Sequence, residues 1–485
     1  MTSAKSIAVN TVLNTIRMSF TILIPLLTYP YITRIFGSDG IGKYEWVKSV
    51  VSIFTLIASM GIATYAVREG AKVRGDRKKF SKFAQELFGL NVCATVVCYV
   101  LLFSLIICVP KFSLYRTYLF IYSINIGLSA LSMDWVYSVY EDYLYITVRQ
   151  ILVQIVSLAG LFLLVHTKND LINYIIITTV SNSGANIFNF FRSRKYIDFK
   201  ILPRYELLIH LRPVLIFFGT RFAMNAYNSL DTVILGLLST DDDVGYYNVA
   251  VKINTILVTF FMAMSPVYLP RMVSYLTKGE NVCYKHLLTK VVHLKTILIY
   301  PMVCGLLIFA PQIVWLIAGD GFINAISTMR ILALVLAFVL LSGIVQKDIM
   351  IPLGDEKEVL KLTIFGAVTN VVISSILILL IGYNGAAWGS LLSEGIIFIV
   401  GGIKVKKHGI NLFELLVNSS GKYVIAMVLM GIWCLAMQYT MQTNITIILI
   451  GVPSAVIVYG VVLVIAKDQF FCDNAKDMLR KLLRR

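Results

Sequence analysis

The sequence predicts an all-α integral membrane protein of about fourteen transmembrane helices, and three observations predict it. Hydrophobic residues fill 58% of the 485 positions and charged residues only 14%, at a mean hydropathy of +0.80, whereas a soluble domain averages about 25% charged residues. Apolar runs of about 20 residues, the length that crosses a bilayer as a helix, recur along the whole chain. These runs lack the alternation of a β-barrel strand, and lipid leaves a helix as the other way to satisfy the backbone.

The first run, 9–31, is too long for a signal-peptide core and has no A-x-A site, so it reads as an uncleaved anchor. GSDGIG (37–42) follows, and apolar sequence resumes at 45–67. Its glycines are spaced G-x-x-G-x-G with no strand before them, which does not fit a nucleotide loop; a tight turn between two spans is expected. Runs 83–109, 117–138, 149–165 and 171–191 complete a first set of six. A second set comprises 214–238, 246–270, 290–310, 326–350, 360–381 and 385–403, and runs 423–441 and 445–466 lie beyond it. The tail DNAKDMLRKLLRR reads as a basic amphipathic helix on the anionic inner leaflet.

A net charge of +17 beside apolar spans is an orientation signal before it is a nucleic-acid signal. REGAKVRGDRKKFSK (68–82), RSRKYIDFKILPRYELLIHLR (192–212), KVKKHG (404–409) and KDMLRKLLRR (476–485) fall on one face, while STDDDVG and YNG on the other carry no Lys or Arg. Both termini are therefore expected on the cytoplasmic side of the membrane, and no nucleic-acid partner is expected. No outer loop is long enough for an external catalytic domain, so the chain is not expected to be an enzyme. The seven cysteines form no C-x-x-C pair and read as small buried hydrophobes. The histidines (His166, His210, His286, His293, His408) lack metal-ligand spacing, and there is no Walker motif. No metal or cofactor is expected.

The chain also repeats itself. Gly42 and Gly245, Tyr44 and Tyr247, Tyr65 and Tyr268, and Arg68 and Arg271 align at one constant offset, with Arg17 and Arg221 one residue further apart. This divides the chain into an N-terminal lobe (1–212), a C-terminal lobe (213–405) and a final pair of spans with the basic tail (406–485). Two parallel six-helix lobes are the layout of transporters with a site between the halves.

Four spans carry polar stripes at helical spacing. They are Asn10, Asn14, Arg17, Thr21 and Thr28; Glu45, Lys48, Ser52, Thr55 and Ser59; Arg221, Asn225, Asn228 and Thr232, with Asp231 adjoining; and Asn248, Lys252, Thr255 and Thr259. For the neutral residues alone, interhelical hydrogen bonding is the better reading. Each stripe, however, holds one cation: Arg17, Lys48, Arg221 or Lys252. The two Arg lie roughly 10 Å in from the cytoplasmic side and the two Lys roughly 5–10 Å in from the outer side. Side chains can snorkel from such depths, but snorkelling gives no reason for all four to fall on polar stripes. A water-filled cationic cavity does, and it favours an anionic substrate, with Arg and Lys suited to phosphate. Glu45 and Asp231 would moderate its charge or couple to a cation.

Asp134, Glu141 and Arg149 are candidates for an ion-pair set at an inner gate, with proton or substrate handling as the alternative. Lys295 and Arg330, near span ends, are expected to snorkel, and Glu394 is a candidate coupling site.

With these residues in view, the chain resembles the Wzx-type O-antigen and oligosaccharide flippases of the polysaccharide biosynthesis family, in the MOP exporter superfamily. The resemblance is carried by YPYITRIFGSDGIGKYEWVKSVVSIFTLIASMGIATYAVREGAKVR, DWVYSVYEDYLYITVRQIL and NGAAWGSLLSE. It implies two six-helix lobes around a basic cavity and transfer of undecaprenyl-pyrophosphate-linked oligosaccharide from the inner to the outer leaflet by alternating access. An ion gradient (H⁺ or Na⁺) is the implied drive. Polysaccharide polymerase and chain-length proteins are candidate partners beside membrane lipids. The resemblance carries substrate contact onto Arg17 and Lys48, and by repeat position onto Arg221 and Lys252. The rival readings are a multidrug/cation antiporter, which would want a carboxylate-rich cavity, a membrane polymerase or ligase, which would want a large outer loop, and a scaffold subunit of a polysaccharide assembly complex.

Overall fold

The structure, a computed structural model, describes residues 7–200, 205–262, 265–441 and 443–474, the side chains of 7–19, 21–23, 220, 221, 223–228, 262, 265–267, 418 and 419 excepted. Every regular element among the described residues is helical, and the chain divides into two compact units, Met1–Gly245 and Tyr246–Arg485.

The first unit opens with α1 (Ile7–Ser59), in which Gly37 alone has non-helical dihedrals (φ 65°, ψ −170°). Phe36 and Tyr44, before and after Gly37, both pack on the ring of Tyr174, at 5.5 and 4.6 Å between centroids. Gly37 therefore folds the chain back on itself, using a conformation that favours glycine. The left-handed pair Met60 and Gly61 ends this stretch before α2 (Ile62–Val73). Asp76 then caps α3 (Arg77–Cys108) by accepting from the backbone N–H groups of Lys78 and Lys79. After α4 (Pro110–Leu114), the predicted span 117–138 appears as α5 (Arg116–Ala130) and α6 (Asp134–Val139), broken where Met133 is left-handed. The unit continues through α7 (Tyr143–Leu164), α8 (Leu171–Thr179), a π-turn at Val180–Gly184, α9 (Ala185–Ser193) and α10 (Leu207–Leu238). Its core near the predicted cytoplasmic end packs Phe80, Phe83, Leu87, Trp135, Val136 and Val214.

Across the boundary runs α11 (Asp241–Met262), followed in the second unit by α12 (Ser265–Thr277), α13 (Asn281–Ile308), α14 (Ala310–Ala318) and α15 (Ala325–Gly343). A π-turn, Ile344–Met350, extends α15. Then come α16 (Glu356–Ile381), α17 (Asn384–Val405), α18 (Leu412–Thr440), α19 (Asn444–Thr446) and α20 (Val452–Ile465). Gly382 (φ 67°, ψ −149°) turns α16 into α17 much as Gly37 turns α1. Asn370 on α16 reaches Ser390 on α17 at 3.2 Å, and Gly366 lies against Ile397, so the two helices run antiparallel.

Eleven helices among the described residues are long and apolar enough to cross a membrane, and the chain is a multi-pass membrane protein. Large apolar side chains such as Val100, Ile107, Leu379 and Ile457 are exposed, as lipid-facing positions should be. Fourteen remains the number expected from sequence. Among the described residues, 9–31 and 45–67 join in one helical stretch and 171–191 is interrupted by a π-turn. The tail KDMLRKLLRR lies outside the described residues except at its approach.

Candidate functional site

The second polar stripe is the best described. Past the Gly37 turn, Glu45, Lys48, Ser52 and Thr55 follow one another at helical spacing. Glu45 is buried, and the half-buried Lys48 ammonium donates to it at 2.7 Å. Tyr44, Tyr122 and Tyr174 enclose the pair. The Tyr44 ring lies 6.1 Å from Tyr122 and 4.6 Å from Tyr174, and the Lys48 ammonium stands 5.6 Å from the Tyr44 centroid. Asn182 donates to the Tyr122 hydroxyl at 3.1 Å. Lys48 is therefore a compensated cation in an aromatic cage, not a bare charge.

Further along, the stripe behaves as helix-packing glue. Ser52 bonds Ser229 of α10 at 3.1 Å, whereas Thr55 and Ser59 donate back to Val51 and Leu56 carbonyls of their own helix. Asp231 and Thr232 on α10 are buried. In α11, Asn248 is buried, Lys252 half-buried, and Thr255 exposed with its hydroxyl on the Val251 carbonyl. The side chains of Asn14, Arg17, Thr21, Arg221, Asn225 and Asn228 lie outside the described residues.

Of the proposed inner ion-pair set, the structure brings two members together. Arg149 is buried and donates to Asp134 at 3.1 Å, and Asn189 donates to the same carboxylate at 2.5 Å. Glu141 is elsewhere: at a left-handed turn (φ 58°) it points to Arg74 at 3.1 Å in an exposed pair. Glu394 is buried on α17.

Lys295 does not snorkel. It is 4% exposed and donates at 2.5 Å to Asp348, itself 1% exposed, in the π-turn after α15. The Tyr268 ring lies 5.7 Å from its ammonium. The physical reason is that an opposite charge within the same unit compensates the ammonium more closely than the interface would. Arg330, by contrast, is exposed and donates to the Leu307 carbonyl at 3.2 Å. A second buried group, Tyr65, His210 and Glu86, joins α2, α3 and α10. Tyr65 bonds His210 Nδ1 at 2.9 Å, and His210 Nε2 faces Glu86 at 3.0 Å. The recurrence of Tyr65 and Tyr268 was the one signal available for both clusters, since each tyrosine stands on one of them.

The glycine turn also has a partner. A methyl group at Gly42 would overlap the Asp241 carbonyl oxygen, and one at Gly245 would overlap the Ser38 carbonyl oxygen. Ser38 donates to Asp242, and Tyr115 to Asp241, which Lys111 approaches at 3.4 Å. Trp46 is fully buried against Gly236 and donates to the Val233 carbonyl at 3.3 Å.

Comparison with known proteins gives four matches of note. The family described as polysaccharide biosynthesis protein matches residues 5–276. A protein of Shigella dysenteriae named "Putative O-antigen transporter" is 21% identical over 373 residues, covering 76% of this chain and 92% of its own. One of the same name in Escherichia coli (strain K12) is 21% identical over 380 residues, covering 77% and 90%. Among solved structures, the lipid II flippase MurJ in an inward closed conformation superposes with a TM-score of 0.72 at 12% identity, over 96% of this chain and all of its own. At that identity the likeness is one of fold.

Proposed function

The chain belongs to the polysaccharide biosynthesis protein family, and from that premise we propose that it is a flippase carrying an undecaprenyl-pyrophosphate-linked oligosaccharide from the inner to the outer leaflet. The observation that carries the reading is the match, over most of both chains, to relatives named as O-antigen transporters. The helical fold it shares with a lipid II flippase agrees with it.

In this reading the pyrophosphate and any acidic sugars meet the cations of the polar stripes, Arg17 and Lys48 with Arg221 and Lys252, in a cavity between two six-helix lobes. Asn14, Thr21, Ser52, Asn225, Asn228 and Thr255 line it. Arg would grip phosphate through its planar fork, and Lys48 would do so only by leaving Glu45. The tail, being hydrocarbon, needs an apolar path. An apolar groove of about 710 Å³ in the second unit, lined by Leu298, Met302, Leu306, Val456 and Phe471 among others, offers one. Alternating access moves the head group across, and the drive is an H⁺ or Na⁺ gradient acting through carboxylates such as Glu45, Asp231 or Glu394. The protein sits in the bacterial inner membrane with both termini cytoplasmic. It performs no covalent chemistry itself and hands its product to polymerase and chain-length proteins.

The test is reconstitution. Purified protein in liposomes with labelled lipid-linked oligosaccharide should move label to the opposite leaflet under an imposed ion gradient. Absence of movement with the native lipid would overturn the reading, and efflux of an organic cation instead would favour an antiporter.

A further inference from the structure

We infer that Tyr65, His210 and Glu86 form a binding site for one proton at the foot of α10, open to the side expected in the cytoplasm, and that the proton which drives transport is bound there. Coupling rests on the transport reading above; the proton site itself does not.

Glu86 on α3 holds the start of α10 with both of its oxygens. One accepts the backbone N–H of Glu206, the residue before the helix, at 2.9 Å, and the other faces His210 Nε2, one turn later, at 3.0 Å. The Tyr65 hydroxyl on α2 meets the remaining ring nitrogen, Nδ1, at 2.9 Å. Tyr65 and Glu86 are buried, and the His210 side chain is 12% exposed. Both nitrogens of the imidazole are thus engaged inside the first unit, and three helices meet in one short chain of hydrogen bonds.

These partners fix what the ring can do. A carboxylate only accepts, so Nε2 carries hydrogen and donates to Glu86. Nδ1 is then the position left for a proton. In the neutral ring it accepts from the Tyr65 hydroxyl; in the cation it donates to the same oxygen, which accepts as readily as it donates. One proton therefore enters with the turn of a hydroxyl hydrogen and no movement of heavier atoms. Histidine is the side chain whose ordinary titration falls between about pH 5 and about pH 8, and Glu86 stands ready as counter-charge to the cation.

The surrounding charges leave room for that proton. Glu86 and Glu206 share the ammonium of Lys82, at 3.8 and 3.5 Å, so among the described residues two carboxylates face one ammonium until His210 supplies a second cation. On α2, Glu69 is already held by Arg68 at 2.9 Å and by Lys72 at 2.7 Å. Ser59, at the end of α1, carries no charge, and Arg212 on α10 is exposed. Phe83 stands edge-on to the His210 ring, and Phe217 packs on Tyr65. The opening is at Lys82 and Glu206, 41% and 40% exposed, on the segments expected in the cytoplasm. Beyond this foot α10 carries Arg221, Asn225, Asn228 and Asp231, so a charge gained at His210 acts on the helix that bears the third polar stripe.

The experiment uses the full chain, in lipid nanodiscs and in liposomes. In NMR spectra of protein with isotope-labelled histidine, taken across the range of histidine titration, one imidazole should pass from the Nε2-protonated tautomer to the cation. That signal should be absent in His210→Gln, whose amide can still donate to Glu86 and accept from Tyr65. A His210 signal that keeps one form throughout would overturn the proton site. Tyr65→Phe should lower the midpoint, because the cation loses the acceptor of a charge-assisted bond; an unmoved midpoint would overturn the place of the proton on Nδ1. In liposomes, an imposed pH gradient should raise wild-type flipping several-fold and leave folded His210→Gln without a response. An equal response in that variant, or stimulation of the wild type by a Na⁺ gradient alone, would overturn the coupling. If the wild type flips nothing under any gradient, the transport reading fails, while the spectra still decide the proton site. Should His210→Gln not accumulate, Tyr65→Phe decides, since its midpoint and the pH of half-maximal flipping should move together.

Discussion

Lys48 and Glu45 form a 2.7 Å ion pair one turn apart on α1, inside a cage of Tyr44, Tyr122 and Tyr174. A phosphate that binds Lys48 must displace a carboxylate already there. Glu45 is thus a built-in competitor, and the ammonium is available only in exchange.

Glu45→Gln should therefore tighten binding of inorganic pyrophosphate to purified protein. A charged hydrogen bond contributes about 1.5–3 kcal/mol net, so a gain on the order of tenfold in Kd is expected by calorimetry. Lys48→Ala in the same background should erase it. A Kd unmoved by Glu45→Gln would remove Lys48 from the anion site.

Arg17→Ala or Arg221→Ala should abolish surface polysaccharide at normal protein levels, because a phosphate-binding guanidinium has no neutral substitute. Lys at either position should restore part of the polymer. Wild-type polymer on either alanine variant, measured by gel staining, would take that residue out of the site.

Asp348→Ala should destabilise the protein by about 3–5 kcal/mol, since it leaves the Lys295 ammonium buried without its carboxylate. Lys295→Met with Asp348→Leu should recover most of that loss. Thermal unfolding in detergent reads both, and losses that simply add in the double variant would show that the pair is not coupled.

The two inner pairs should differ. Asp134→Ala strands the buried Arg149 and should cost about 2–4 kcal/mol. Glu141→Ala breaks a pair whose side chains are about half exposed and should cost less than about 1 kcal/mol. Equal costs would falsify the separation of Glu141 from that set.

Much of this was legible along the chain. The Gly37 turn, the polar stripe from Glu45 to Thr55 and the correspondence of Gly42 with Gly245 are all readable as local spacing or repetition. Even the Lys48–Glu45 pair lies within one helical turn. Span ends were less legible, because the left-handed Met133 breaks a helix without any proline or glycine at the break, and nothing local marks where the helix widens into the π-turns at 180–184 and 344–350. Lys295 stands near a span end, and nothing local to it points to Asp348 in the π-turn after α15.

By itself, then, the sequence determined the class, the turns and the faces. Apolar length and helical periodicity are properties of neighbouring residues, and lipid permits few alternatives. Tertiary structure alone decided the partners: Lys295 with Asp348, His210 with Glu86 and Tyr65, Asp241 with Tyr115, and the seating of Gly42 against Asp241. Those choices depend on how helices far apart in the chain pack and rotate against each other. A buried charge or bare backbone accepts whichever compensating group that packing delivers.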